Sequence, residues 1–489
     1  MKRLPAVCLP GIAQPRREAG GMSARSGRFI GILLAVTVAA GCGGGDFSSP
    51  FGRSSSQSQR RPHASSQSPI QHVVVIVQEN RTFNDFFAQF PGADGTIHAN
   101  AAANPNCGIT QGQTITLMER PLVLSLDLDH RFFAFRVARD QGRMDGFDKV
   151  LFGNGLPECT YPYMYTNPSQ IQPYWQMAEQ YTLAEHMFTT QGSGSFTAHQ
   201  DLIAGATLVA PNRAMVDLPS CNGPKCIWGC DAPPNTITHL ITPDNLLLEP
   251  RFHPGPFPCT TKYKVNFPTL RDLLDAGSIS WRYYVPPQSV TAGRLFSAFD
   301  AIADVRYSSE WTTNVISPQT QIYNDAKYGQ LANVSWVMPD MHDSDHPGQT
   351  VDTGPQWVAS VVNAIGESAY WNSTAIIIVW DDWGGIYDNI KPEQRNYGGL
   401  GFRVPAIVVS PYARPGYISQ TNYEFGSILK YIENNWHLGT LGRTDQHAQN
   451  MLDCFNYNQS PLRFQKIKSN LGESYFIHRK PSYKPVDDD

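Results

Sequence analysis

The chain has 489 residues, of which 41% are apolar, 11% aromatic and 16% charged. Its formal charge is −4 at neutral pH, so it lacks the basic footprint of a nucleic-acid-binding protein. That length can bury a large core and allows up to three domains, or one large α/β domain with insertions.

The N-terminus reads as a targeting segment. Arg25 and Arg28 precede the apolar run Phe29–Ala40, too short to cross a bilayer and the right length for a signal-peptide core. Gly41-Cys42-Gly43 then resembles a bacterial lipobox, with Ala39 where leucine is usual. Residues 1–42 are therefore expected to be a signal peptide, with Cys42 the lipidated first residue of the mature chain or the signal an ordinary cleaved one. Met22 is a second candidate start. Residues 43–69 are Gly, Ser, Gln and Arg without periodicity and read as a disordered tether. The expected address is exported: periplasmic, an outer-membrane lipoprotein, or secreted. Apart from Cys8 and Cys42, seven cysteines remain: Cys107, Cys159, Cys221, Cys226, Cys230, Cys259 and Cys454. Export favours disulfides, and the Cys221/Cys226/Cys230 spacing fits no common zinc pattern. The pairing is open, and one thiol is left over.

His72-Val-Val-Val-Ile-Val-Gln78 is a continuous β-branched run and predicts a strand buried on both faces. It ends in Glu79-Asn80, where open α/β sheets hold their ligands, although an acid there also caps helices. Residues 88–120 read as loop. The apolar run from Leu122 ends in the polar pair Asp129-His130 and leads into a helix-like stretch. A helix is predicted over 174–188. Next comes the Gly/Ser loop Gly192-Ser193-Gly194-Ser195, opening into an apolar stretch in the manner of an anion-binding helix start. Residues 211–265 are rich in Pro, Cys, Asn and Gly and read as a disulfide-stapled insertion.

Regular α/β texture then returns. The helix at 267–277 has Pro near its start and Gly at its end. Strands follow at 279–285 and 334–338, the second running into Asp340, His342, Asp345 and His346. The helix at 356–367 spaces Trp357, Val361 and Ile365 four apart. Ser373–Trp380 is another buried strand, and it ends in Asp381-Asp382-Trp383-Gly384-Gly385. A further strand occupies 404–409. The helix at 424–436 puts Phe425, Ile428, Leu429 and Ile432 on one face. From 461 to 489 the chain is polar and reads as a loosely held tail. Several strands ending in adjacent oxygen-bearing side chains point to a shared cation, because like carboxylates repel unless a metal or proton lies between them.

Six stretches in order resemble one family, the bacterial phosphoesterases of phospholipase C and acid phosphatase type. Glu79–Phe87 resembles ENRSFDHYF, Gly142–Phe147 resembles GGKMDGF, and Gln191–Gln200 resembles QGPSFPAHQ. Ser344–Pro347 is similar to SDHPP, Asp381–Asp388 to the D-D/E-x-G-G-x-x-D motif, and Gly401–Ala413 to GFRVPALVISPYA. The resemblance implies a three-layer α/β/α sandwich of alkaline-phosphatase-like type over residues 70–460, and a hydrolase of phosphate esters.

Carried over position by position, it implies metal ligands at Glu79, Asn80, Asp381 and Asp382. Ser195 becomes the nucleophile, also touching the metal, and His130 and His346 line the phosphate site. The implied cofactor is one divalent ion. All-oxygen ligands favour Ca²⁺ or Mg²⁺, with zinc and iron still open. The implied substrate is a phospholipid head group or a soluble monoester, with the lipid anchor as the membrane contact. The chain departs from the pattern at Thr197, at an extra residue before Ser195 that makes Ser193 a rival nucleophile, and at Asn389 in place of a histidine. The larger phospholipase C members carry C-terminal repeat domains without counterpart here, which moves the expectation towards a general phosphatase. A surface-anchored binding protein of the same fold, without catalysis, is the alternative. A sulfatase-like relative is disfavoured by the missing Cys-x-Pro-x-Arg signature. His199 and His342 are expected to be structural or supporting.

Overall fold

The structure, a computed structural model, describes residues 68–153, 155–210, 213–220, 228–234, 236–242, 249–251, 258–260, 267–394 and 399–484. The expected signal segment and tether, Cys42, Cys221, Cys226 and the terminal aspartates lie outside the described residues. Eight strands make the central sheet: β1 His72–Gln78, β2 Thr182–Ala184, β3 Trp281–Tyr284, β4 Val315–Ile316, β5 Val334–Val337, β6 Thr374–Trp380, β7 Ala406–Val409 and β8 Tyr417–Ser419. Their spatial order is β4-β3-β5-β1-β6-β7-β2-β8. Only β7 runs against its neighbours β6 and β2; the other pairings are parallel.

β1 and β6 lie at the middle of the sheet, and Val73–Val77 and Ala375–Val379 are fully buried. That burial on both faces is why neither strand alternates polar and apolar residues. The main helices are α1 Gln172–Gln180, α2 Ser195–Ala204, α3 Leu270–Ala276, α4 Gln321–Lys327, α5 Gly354–Gly366 and α6 Phe425–Trp436. They pack in two groups: α5 touches α1 and α4, while α2 touches α3 and α6. One apolar core joins both groups to the sheet, giving the expected α/β/α layers.

Three local expectations change. The helix predicted over 174–188 stops at Gln180, because Thr182-Leu183 pairs with Val408 and Ile407 as β2. The stretch read as loop at 88–120 contains a short hairpin, His98–Ala101 with Gln113–Thr116. The tail is held down as far as Lys484: Ile467 and Phe476 are buried, Ser482 N donates to Asp340 Oδ1 at 3.0 Å, and Arg479 ion-pairs Asp343. Its polar composition concealed two apolar anchors.

The insertion forms its own antiparallel sheet, Leu208–Ala210, Arg213–Ser220, Ile237–Ile241 and Glu249–Arg251. The Cys230–Cys259 disulfide staples it; a second disulfide joins Cys107 to Cys159, and Cys454 is free and buried. Among the described residues no helix is long and apolar enough to cross a membrane.

Candidate active site

Register builds the centre of the site. β1 and β6 are parallel with Gln78 opposite Trp380. The next residues therefore leave the sheet side by side, Glu79 with Asp381 and Asn80 with Asp382, at the carboxyl ends where such sheets bind ligands. Asn80 has φ of 56°, the left-handed region that asparagine tolerates better than most residues. Its N–H donates to Asp381 Oδ1 at 2.9 Å, and Asp382 N donates to the same oxygen at 2.7 Å. Gly384, with φ of 57°, is required here: a Cβ would lie 2.1 Å from the Asn80 carbonyl oxygen.

The opposite wall is the first turn of α2. Ser195 Oγ lies 3.1 Å from Asp382 Oδ2 and 3.3 Å from Asn80 Oδ1. One turn on, along the same helix face, His199 Nε2 lies 3.0 Å from Glu79 Oε1 and 3.7 Å from Asp381 Oδ2. Burial pushes the His199 pKa down to about 4, against the opposing pull of the Asp381 carboxylate, so the ring is neutral at pH 7.

The third wall carries two histidines. Asn80 Nδ2 donates to His130 Nε2 at 3.0 Å and to His346 Nε2 at 3.2 Å. Each ring is fixed from behind by a carbonyl, Leu128 O at 2.7 Å from His130 Nδ1 and Pro347 O at 2.6 Å from His346 Nδ1. A carbonyl only accepts, so Nδ1 carries the hydrogen and a neutral ring turns its Nε2 lone pair towards Asn80. Asp345 braces the His346 loop, its carboxylate accepting from Tyr174 Oη at 2.7 Å and Trp380 Nε1 at 3.1 Å.

All seven predicted site residues thus converge, and none is more than 4% exposed. Ser193 is turned elsewhere, donating to Asp217 Oδ1 at 3.1 Å and accepting from Asp217 N at 2.9 Å. His342 faces Asp340, and Asn389 accepts from Arg403 at 2.7 Å. His199 enters the centre more fully than the sequence reading placed it. The available signal was its spacing of four from Ser195. A cavity of about 710 Å³ opens beside the serine loop, lined by Gln191, Asp201, Glu424 and Arg443 among others, and by none of the seven.

Whether these residues suit a metal can be tested on the donor set. One donor atom each from Glu79, His199 and Asp381 lies within 4.8 Å of the others. Asp381 Oδ2 is buried and accepts no hydrogen bond. Two carboxylates and an imidazole around such an oxygen fit a divalent cation. The imidazole also widens the choice from Mg²⁺ and Ca²⁺ to transition metals.

The model of the phosphoesterase family matches residues 70–439. Phospholipase C B of Mycobacterium tuberculosis is 23% identical over 453 aligned residues, covering 80% of this chain and 78% of that protein. Non-hemolytic phospholipase C of Burkholderia pseudomallei is 22% identical over 476 residues, covering 85% of this chain and 63% of that protein. Among solved structures, a protein in the alkaline phosphatase superfamily from Vibrio parahaemolyticus aligns over 79% of this chain and 72% of its own, at 12% identity and a TM-score of 0.34.

Proposed function

Because the chain belongs to the phosphoesterase family and is a hydrolase of phosphoric ester bonds, we propose that it cleaves its substrate through Ser195, by way of a phosphoserine, with the help of a divalent cation. One observation carries this reading: Ser195 Oγ is within hydrogen-bond distance of both Asn80 and Asp382 where β1 and β6 end. Phosphoryl transfer asks chiefly for positioning and neutralisation of charge, and this arrangement offers both. Backbone N–H groups in the first turn of α2 favour the phosphoryl oxygens. Ser195 Oγ forms a bond to phosphorus as the bond to the leaving alcohol breaks. The Nε2 lone pair of a site histidine takes the Ser195 hydroxyl proton and passes it to that alcohol. Water then cleaves the phosphoserine, and its proton restores the hydroxyl.

Glu79, Asn80, Asp381 and Asp382 would hold the cation, with His199 beside Glu79 and Asp381. When bound, it would supply Lewis acidity that favours the serine alkoxide and neutralises phosphoryl charge.

Both curated relatives are named phospholipases C, which supports a phospholipid head-group diester over a soluble monoester. The same proposal makes 70–460 the catalytic domain behind an exported, lipid-anchored N-terminus. An N-terminus found beyond residue 42 without modification rules out that anchor.

The decisive experiment is Ser195→Ala beside Ser193→Ala. Both are assayed on p-nitrophenyl phosphate and p-nitrophenylphosphorylcholine, with the metal present and after chelation. Ser195→Ala and chelation should each lower turnover by about 10²-fold or more, with the diester the better substrate. Near-normal turnover by Ser195→Ala removes the nucleophile assignment. A faster monoester reaction moves the protein to the phosphatase side.

A further inference from the structure

We propose that residues 473–484, near the C-terminus, form a strap that positions His346, with Arg479 as its principal positioning residue. His346 lies in the connection 338–353 between β5 and α5, which is irregular apart from the short turn Met341–Asp343. No strand ladder fixes the imidazole there, so its place depends on the bonds made to the connection. From inside, the strand ends hold it: Glu79 N donates to Ser344 O at 2.8 Å, and Arg81 Nε to Asp345 O at 2.8 Å.

From outside, the tail holds the same connection on both sides of the histidine. Ser482 N donates to the two Asp340 carboxylate oxygens at 3.0 and 3.2 Å. The Arg479 guanidinium donates to Asp343 Oδ1 and Thr353 Oγ1, and Lys484 Nζ donates to Gly348 O. Asp340 and Asp343 precede His346, whereas Gly348 and Thr353 follow it, so the tail ties the two arms together. The strap has an apolar anchor in Phe476, on the short helix Glu473–His478, which is buried with its ring 5.4 Å from that of Trp357 on α5.

Charge singles out Arg479. Burial raises the pKa values of Asp340, Asp343 and Asp352, and the Arg479 charge opposes that rise in all three. One cation thus serves three acids of one connection, and carboxylates brought together without it repel. The Arg479 side chain is only 11% exposed, so solvent screens it little. Loss of that cation loosens both arms and shifts His346 relative to Asn80, whose Nδ2 lies 3.2 Å from its Nε2. The cluster Glu79, His199 and Asp381 is set by the β1–β6 register and by α2 instead, so a cation should stay bound there. The inference rests on the phosphoesterase reading only for what His346 does; the fastening is measured without turnover.

The experiment compares full-length protein with Arg479→Met, Arg479→Lys and Ser482→Pro, the last of which deletes the N–H that Asp340 accepts. Hydrogen exchange of the 340–353 amides is followed by mass spectrometry. Beside it are measured kcat and KM on p-nitrophenyl phosphate, metal content and the thermal midpoint. Arg479→Met should speed exchange over 340–353 by about ten-fold or more while β1 and β6 keep their protection. It should lower kcat by about ten-fold, with KM changed by no more than about three-fold and metal retained. Arg479→Lys keeps the charge and should recover most of both losses. Ser482→Pro should act in the same direction more weakly, and it carries the same readouts should Arg479→Met not fold. A lower thermal midpoint with kcat unchanged makes the tail merely structural and overturns the proposal. Unchanged exchange over 340–353, or a lysine variant as impaired as the methionine one, overturns it too. Faster exchange over 340–353 in a protein that hydrolyses no phosphoester upholds the strap and removes the Ser195 reading.

Discussion

Asn80→Asp exchanges one amide nitrogen for an oxygen and leaves nearly everything else in place. The backbone there, at φ of 56°, is a conformation aspartate adopts almost as readily as asparagine. The carbonyl-type oxygen facing Ser195 survives the exchange. What goes is Nδ2, which donates to His130 at 3.0 Å and to His346 at 3.2 Å. Each bond contributes about 1–1.5 kcal/mol net, so about 2–3 kcal/mol of histidine positioning is lost. If all of it is expressed in the transition state, turnover falls roughly 30- to 150-fold, at 1.36 kcal/mol for each factor of ten. The new carboxylate should not weaken a cation site, because it adds negative charge to it. The assay is kcat and KM on p-nitrophenyl phosphate, with metal content and thermal midpoint measured on the same sample. The expected result is a lower kcat with metal retained and folding nearly unchanged. Activity within two- or three-fold of wild type, or a loss that follows metal content alone, refutes the role given to Nδ2.

Two predictions concern stability. Arg403 and Asp388 are fully buried and paired by two hydrogen bonds, at 2.9 and 3.1 Å, with the guanidinium 4.5 Å over the Phe83 ring. Arg403→Met strands the carboxylate and should cost about 3–5 kcal/mol in denaturant unfolding, and a loss under about 1 kcal/mol counts against the pair. Burial, reinforced by Asp231, raises Asp300 to about 8, and burial with Asp445 raises Glu433 to about 8. Both folded-state values lie above the unfolded ones, so the folded form binds more protons in between. Their contribution is complete below about pH 4 and is lost as pH rises through about 8. The thermal midpoint should therefore decline from about pH 5 to pH 8, and a flat or rising profile over that range sinks the reasoning.

Some of this molecule could be read from its letters because the chemistry sits next to the strands that position it. β1 and β6 announce themselves as unbroken β-branched runs, and the acids follow each immediately, so neither contact needed long-range knowledge. α5 and α6 were legible from their apolar spacing. β2 was not: Thr182–Ala184 is three residues long, and only pairing with β7 and β8 makes it a strand. The tail was misjudged for the same reason, since two apolar residues, Ile467 and Phe476, set its attachment among many polar ones. Only the family resemblance ranked Ser195 above Ser193; local residue chemistry did not separate them. Their surroundings differ through Asp217, some twenty residues on in the insertion, which engages the Ser193 hydroxyl, whereas Ser195 faces Asp382.

The double use of Glu79 and Asn80 raises a geometric difficulty that the backbone resolves. In an extended strand successive side chains point to opposite faces. Yet both residues reach toward α2, Glu79 to His199 and Asn80 to Ser195. The strand must therefore break its alternation between them, and the positive φ at Asn80 is that break. Ser195 and His199 meet the pair because four residues on a helix stack side chains on one face. Two levels result, with Glu79, Asp381 and His199 at one and Asn80, Asp382 and Ser195 at the other. Gly384 is bound to the same turn, since its missing Cβ lets the chain after β6 pass against the Asn80 carbonyl. An alanine at Gly384 would push on that carbonyl and tend to return Asn80 to extended geometry, separating the Ser195 level from the Glu79 level without altering any of these side chains.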